Sequence, residues 1–156
     1  MTTPNPHRQE LAYLGESYVV MELAKRKYRV QKTSQEGFYF DLLGHDGCRI
    51  EVKTALPGKC QRVKYGRMYS YKNWQFNLSH PKQAHNDFYV YVVLKDESLP
   101  PEGYFVFPRN ALKSLNTSGM VSIFESDVFG YKPYHKNKLN RNQYFNNWDL
   151  ILQWNK

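Results

Sequence analysis

Asp41-Leu42-Leu43-Gly44-His45-Asp46-Gly47-Cys48-Arg49-Ile50-Glu51-Val52-Lys53-Thr54 is the stretch that decides the fold of this chain. Two strand-like runs flank Gly44-His45-Asp46-Gly47, a turn signal. A three-residue loop of His45, Asp46 and Gly47 puts Gly47 at the left-handed position that such loops favour. Gly44 then faces Cys48, and counting outward Asp41 faces Glu51. Strand side chains alternate, so Arg49, Glu51 and Lys53 share one face, and Cys48, Ile50, Val52 and Thr54 the other. Glu51 and Lys53 are neighbours about 6.5–7 Å apart along the strand. The register therefore gathers two carboxylates and an ammonium on one side of a hairpin. Like charges placed opposite each other repel. A divalent cation held by hard oxygen ligands, Mg²⁺ above all, is one way to compensate them. Periodicity alone favours a plainer account, a solvated charged face with Glu51 in a surface ion pair to Lys53 or Arg49.

Upstream, Glu10–Lys27 holds no proline, and Ala12, Val19, Val20, Leu23 and Ala24 recur at helical spacing. Glu16 lies between Ala12 and Val20, on the apolar face. A carboxylate placed there needs a partner or a proton. Gly15 beside it lets the helix approach a neighbouring backbone. Lys25-Arg26-Lys27 complements the negative end of the helix dipole.

Short strands are expected at Tyr28–Gln31, Gly37–Leu43, Cys48–Thr54, Trp74–Leu78 and Tyr104–Phe107, and short helices at Pro81–Asn86 and after Pro108. Phe88–Leu94 is an unbroken apolar run, the mark of a central strand buried on both faces. At 156 residues a single domain is expected, with a core over about 10–95 and residues 96–156 as a C-terminal extension packed on or beside it.

The order is a helix with Glu16, a strand with Asp41, then Glu51-Val52-Lys53 on the next strand. It resembles the PD-(D/E)XK nuclease superfamily, the restriction-endonuclease-like α/β fold that includes small resolvase- and restriction-type nucleases. Phe40 stands where the family signature has proline. The resemblance implies a mixed central sheet flanked by helices, with an αβββαβ core. It implies that Asp41 and Glu51 bind Mg²⁺ (Mn²⁺ substituting) with the carbonyl of Val52, and that Glu16 is an accessory ligand. Lys53 is implied to position or activate the attacking water, with Asp41, Glu51 and Lys53 as the catalytic set for phosphodiester hydrolysis. Together with the apolar-face Glu16, this order tips the reading from a solvated face to a site. The competing account is a nuclease-fold binding module without chemistry, or a subunit of a larger nuclease system.

Charge points the same way. The net charge is +8, and the sequence pI is about 9.4, the balance expected for a polyanion partner. From Ala55 to Asn86 there is no Asp or Glu, while Arg62, Lys64, Arg67 and Lys72 interleave with tyrosines. A second acid-free stretch, Tyr131–Asn147, carries Lys132, Lys136, Lys138 and Arg141 among aromatics. Cations for phosphates and aromatic faces for bases make both stretches candidate nucleic-acid contacts. DNA is expected ahead of RNA, with a homodimer as an allowed assembly.

An aromatic content of 16% and a hydrophobic content of 41% exclude a disordered chain. No apolar run is long enough to span a membrane, and the first residues carry no leader-like apolar segment. Cys48 and Cys60 have no metal-ligand spacing. These features predict an intracellular, cytoplasmic protein.

Overall fold

The computed structural model describes residues 6–33, 40–77, 86–115, 120–129 and 141–154. Helix α1 (Pro6–Lys25) opens the chain. It closes on Lys27, whose φ of 60° is left-handed. The N–H groups of Lys27 and Tyr28 reach back to the carbonyls of Ala24 and Leu23 at 2.9 Å each. This double closure, with Tyr28 and Leu23 both buried in the core, is a Schellman-type end.

Five strands form the central sheet, in the order β1-β2-β3-β6-β7. They are β1 (Val30–Lys32), β2 (Leu42–Gly44), β3 (Arg49–Ala55), β6 (Phe88–Val93) and β7 (Gly103–Pro108). Among the described residues only the β3–β6 pair of this sheet is parallel. Between those two strands the chain builds a long hairpin, β4 (Gly58–Lys64) and β5 (Arg67–Asn77). Its two-residue loop, Tyr65-Gly66, has positive φ at both positions, 52° and 73°, as a type I′ turn requires. With β8 (Met120–Phe124) these strands make a second sheet in the order β4-β5-β8. Helices α2 (Arg109–Leu115), α3 (Glu125–Phe129) and α4 (Asp149–Leu152) and a 3-10 turn at Arg141–Tyr144 complete the described chain.

Two cores lie on opposite faces of the central sheet. On one face Val19 and Leu23 of α1 pack on Ile50, Val52, Val90 and Val106. On the other, Trp74, Phe76, Val121 and Ile123 of the second sheet cover Ala55, Tyr91, Val93, Phe105 and Phe107. Every residue of β6 is therefore buried, which explains its unbroken apolar run. Phe76 stacks on Tyr91 with ring centroids 4.2 Å apart, and Trp74 Nε1 donates to the carbonyl of Leu94 at 2.8 Å.

The expected hairpin register is the one observed. Leu42 pairs with Ile50 and Leu43 with Arg49, Gly44 N–H donates to the Cys48 carbonyl at 2.8 Å, and Gly47 has φ 89°. The strand expected over Gly37–Leu43 is ordered as β2 only from Leu42, and its residues 37–39 lie outside the described ones. Of the helix expected at Pro81–Asn86, residues 81–85 also lie outside them. No helix among the described residues is long and apolar enough to cross a membrane.

Candidate active site

Strand pairing between β2 and β3 stops at Leu42 and Ile50, and the site sits where it stops. Asp41 N–H still donates to the Ile50 carbonyl at 3.0 Å. The next β3 donor, Val52 N–H, is taken by Asp41 Oδ2 at 2.8 Å. The carboxylate thus replaces a missing ladder partner and is held against β3.

Glu16 arrives from α1. The helix crosses β3 so closely that a Cβ on Gly15 would lie 1.7 Å from Thr54 Oγ1. Only glycine permits that approach, and it carries the neighbouring Glu16 carboxyl onto Asp41. Burial first, and then the Asp41 charge and a hydrogen bond with its carboxyl, push Glu16 up to about 7, against an opposing pull from Lys32. Asp41 is raised as well, by burial and then by Glu51, with the Val52 N–H and Lys53 opposing.

On the other side Glu51 is held at both oxygens. Lys53 Nζ lies 3.0 Å from Oε1, and Asn86 Nδ2 donates to Oε2 at 2.7 Å. Asn86 is wholly buried. It reaches Glu51 because β3 and β6 are parallel with Ile50 opposite Phe88, and this register sets the residues before β6 beside the start of β3. The Asp87 N–H correspondingly donates to the Arg49 carbonyl at 2.9 Å. Sequence reasoning missed Asn86. No local pattern marks it, and only the register of a parallel pair far apart in the chain would have found it.

The structure therefore brings Glu16, Asp41, Glu51 and Lys53 together, with Val52 between them. Among the described residues no three His, Cys, Asp or Glu side chains converge tightly enough to hold a metal ion as they stand. Lys53 and Asn86 occupy both oxygens of Glu51, and Val52 N–H occupies one oxygen of Asp41. Three of the four side chains are carboxylates, the hard oxygen donors that a divalent cation takes, and burial first, with neighbouring carboxylate charge behind it, raises the proton affinity of Glu16 and Asp41.

The expected nucleic-acid contacts separate. Lys72 and Arg67 are exposed on the β4–β5 hairpin, and Lys64 is half-buried with its ammonium 5.4 Å from the Tyr65 ring centroid. Arg62 holds a β4 position opposite Tyr69. Lys132, Lys136 and Lys138 lie outside the described residues. Arg141 is corrected: it is buried, 3.7 Å from Asp127 and 5.7 Å above the Phe124 ring. Its guanidinium ties the C-terminal segment to the β8–α3 corner and is withheld from any phosphate.

No protein-family model matches the chain, and no curated protein matches it by sequence. Among solved structures, a bacterial homing endonuclease is similar over 99% of this chain and 94% of its own, with a TM-score of 0.62 and 19% identity. The chain thus has a mixed α/β, nuclease-like fold, and at that identity the likeness is one of fold.

Proposed function

We propose that this chain is a Mg²⁺-dependent endonuclease of the PD-(D/E)XK type, hydrolysing phosphodiester bonds in DNA. One observation carries the reading: Glu16, Asp41, Glu51 and Lys53 meet at the point where β2 leaves β3. The fold shared with a bacterial homing endonuclease supports it, as does the acid-free, basic β4–β5 hairpin.

In this reading Asp41 and Glu51 hold the cation, with the Val52 carbonyl and Glu16 as further ligands. A bound Mg²⁺ supplies Lewis acidity toward a phosphate oxygen and makes a coordinated water easier to deprotonate. Lys53, which lies 3.0 Å from Glu51 Oε1, would meet charge developing on the phosphate or orient the attacking water. Asn86 Nδ2 holds Glu51 Oε2 in place. Val52 N–H holds Asp41 Oδ2 in the same way, so both carboxylates would be oriented in advance toward a cation.

The second reading, a nuclease-fold binding module or nuclease subunit without chemistry, draws on the closed Glu51–Lys53 pair and the absence of a tight ligand cluster among the described residues. A cleavage panel decides between them: linear, nicked, branched and single-stranded DNA, and RNA, each with Mg²⁺ or Mn²⁺, against Glu51→Ala. Cleavage by the wild type that is lost in Glu51→Ala supports the nuclease. Binding without cleavage under every condition supports the module.

A further inference from the structure

One face of the β4–β5 hairpin starts as core and ends in solvent. Trp74 and Phe76 on β5 point into the second core. By strand alternation Lys72, Ser70 and Met68 continue that face outward, and their partners on β4 are Lys59, Gln61 and Val63. All six are exposed, with Val63 at 71% and Met68 at 64%. The opposite face is covered at its base, where Asn73 is buried and the Tyr71 ring lies 6.2 Å from that of Phe124, and opens toward the tip at Tyr69 and Arg67. This core-type face continues bare beyond its core, bearing an apolar pair and two lysines.

We infer that this face of the hairpin enters the major groove of duplex DNA and reads base pairs beside the cleavage point. The inference rests on the nuclease reading above and adds the part of the substrate that is recognised. Three observations choose the occupant. The charge is complementary, since the stretch from Ala55 to Asn86 carries no carboxylate of its own, with Glu125 Oε1 accepting from the Lys72 N–H at 2.8 Å at the base of the ribbon. The shape fits, because a two-stranded ribbon is one of the two elements that the groove, about 12 Å wide, admits. The chemistry is graded along the ribbon. The Lys59–Lys72 pair at the base suits phosphates. The Gln61–Ser70 pair offers an amide that can bond an adenine edge at two points. The Val63–Met68 pair near the tip suits thymine methyl groups.

Geometry sets the size and place of the contact. From Lys59 to Val63 the ribbon advances about 14 Å at about 3.4 Å per residue, the rise of roughly four base pairs. Ser70 is six residues from Phe76, which stacks on Tyr91, the register partner of Lys53. The reading pair is thus about 20 Å along β5 from the catalytic level, within one turn of duplex.

The test is selection of the full chain, in EDTA, on a pool of duplexes with twenty randomised base pairs, followed by salt titrations of the selected duplex. The wild type should enrich a motif of about four base pairs containing A·T pairs, sensitive to guanine N7 methylation of flanking major-groove positions. Gln61→Ala should lose about 5- to 150-fold of discrimination at one position and keep the slope of log affinity against log salt. Lys59→Ala or Lys72→Ala should weaken all sequences alike and lower that slope by about one. All these residues are exposed, so unchanged melting temperatures show that the variants fold. No duplex binding, no enriched motif, or a motif untouched by Gln61→Ala and by Val63→Ala with Met68→Ala overturns the inference. A tip variant that splits a dimer while the motif persists overturns it in favour of a second copy of the chain. Selection of a motif without cleavage sinks the nuclease reading and keeps this one; cleavage without sequence preference does the reverse.

Discussion

Asn86 Nδ2 donates to Glu51 Oε2 at 2.7 Å, across 35 residues of chain. Asn86 is wholly buried, so the bond is made in low dielectric and fixes one oxygen of the carboxylate while the other faces Lys53. Partners of this kind typically contribute 10- to 100-fold in metal affinity or activity. Asn86→Leu keeps the volume and removes the donor. It should lower Mn²⁺ affinity and cleavage by about that factor, while metal-free duplex binding stays at the wild-type level. Equal losses in metal-free binding would assign Asn86 to the fold instead.

Asp41→Ala, Glu51→Ala and Lys53→Ala should each abolish cleavage, yet differ in metal-free binding. Removing either carboxylate takes negative charge from the place a phosphate must occupy, so both variants should bind duplex in EDTA as well as the wild type or better. Lys53→Ala should bind more weakly. Fluorescence anisotropy with one duplex measures all three, and wild-type cleavage rates in Glu51→Ala would sink the mechanism.

Glu16 makes stability depend on pH in a predictable direction. Its folded value is about 7 against the usual 4.5, so the fold favours the protonated acid. That contribution is complete below about 4.5 and is lost as pH rises through about 7. Asp41 is shifted in the same direction. Glu16→Gln imitates the protonated form. Without metal it should melt higher than the wild type at pH 8, and the difference should close at pH 4. Excess Mg²⁺ at pH 8 should then raise the melting temperature of the wild type more than that of the variant. Parallel melting curves across that pH range would remove Glu16 from the cluster.

Gly15 holds α1 at its distance from β3. Gly15→Ala would place a carbon 1.7 Å from Thr54 Oγ1 and 2.9 Å from its Cβ. Overpacking of this kind typically costs about 1–3 kcal/mol. Denaturant unfolding should show that loss, and Gly15→Ala with Thr54→Ala should recover part of it, because the nearest clashing atom is gone. Simple addition of the two single effects would show that the helix has moved away instead.

Arg141 should behave as a structural cation. It is buried against Asp127 at 3.7 Å, and Asp127 also accepts from the Phe124 N–H at 2.9 Å. Arg141→Ala removes the cation facing buried Asp127, which keeps the Phe124 N–H; breaking a buried ion pair from one side typically costs about 3–5 kcal/mol. Urea unfolding should register it, and the salt dependence of duplex binding should stay unchanged. A lower salt slope would return Arg141 to the nucleic-acid surface.

Arg141 also shows where sequence reading runs out. Its neighbours are basic and aromatic without a carboxylate, the pattern of a phosphate-binding loop. Its partner Asp127 lies outside that stretch and meets it only when the C-terminal segment folds back on β8. Asn86 is the same case, since its role depends on a parallel register between strands separated by the whole β4–β5 hairpin. The second sheet, too, joins β5 to β8 across some forty residues and leaves no local trace.

What the sequence determined by itself is what near-neighbour chemistry controls. Gly44, Gly47 and the alternation of β3 set the hairpin register, because a turn type dictates pairing and a strand has period two. That register brought Asp41 to the end of the β2–β3 ladder, where its carboxylate takes the Val52 N–H and feels the Glu51 charge. The apolar spacing of α1 put Glu16 on its inner face, and Gly15 marked a close approach. The unbroken apolar run at Phe88–Leu94 declared a strand covered on both sides. Tertiary structure alone decided which donors hold the carboxylates, which cations stay in solvent and which face of the hairpin is bare. Those outcomes depend on contacts between segments distant in the chain, whose geometry is set by packing two sheets and a helix around one strand and by no residue's own propensity.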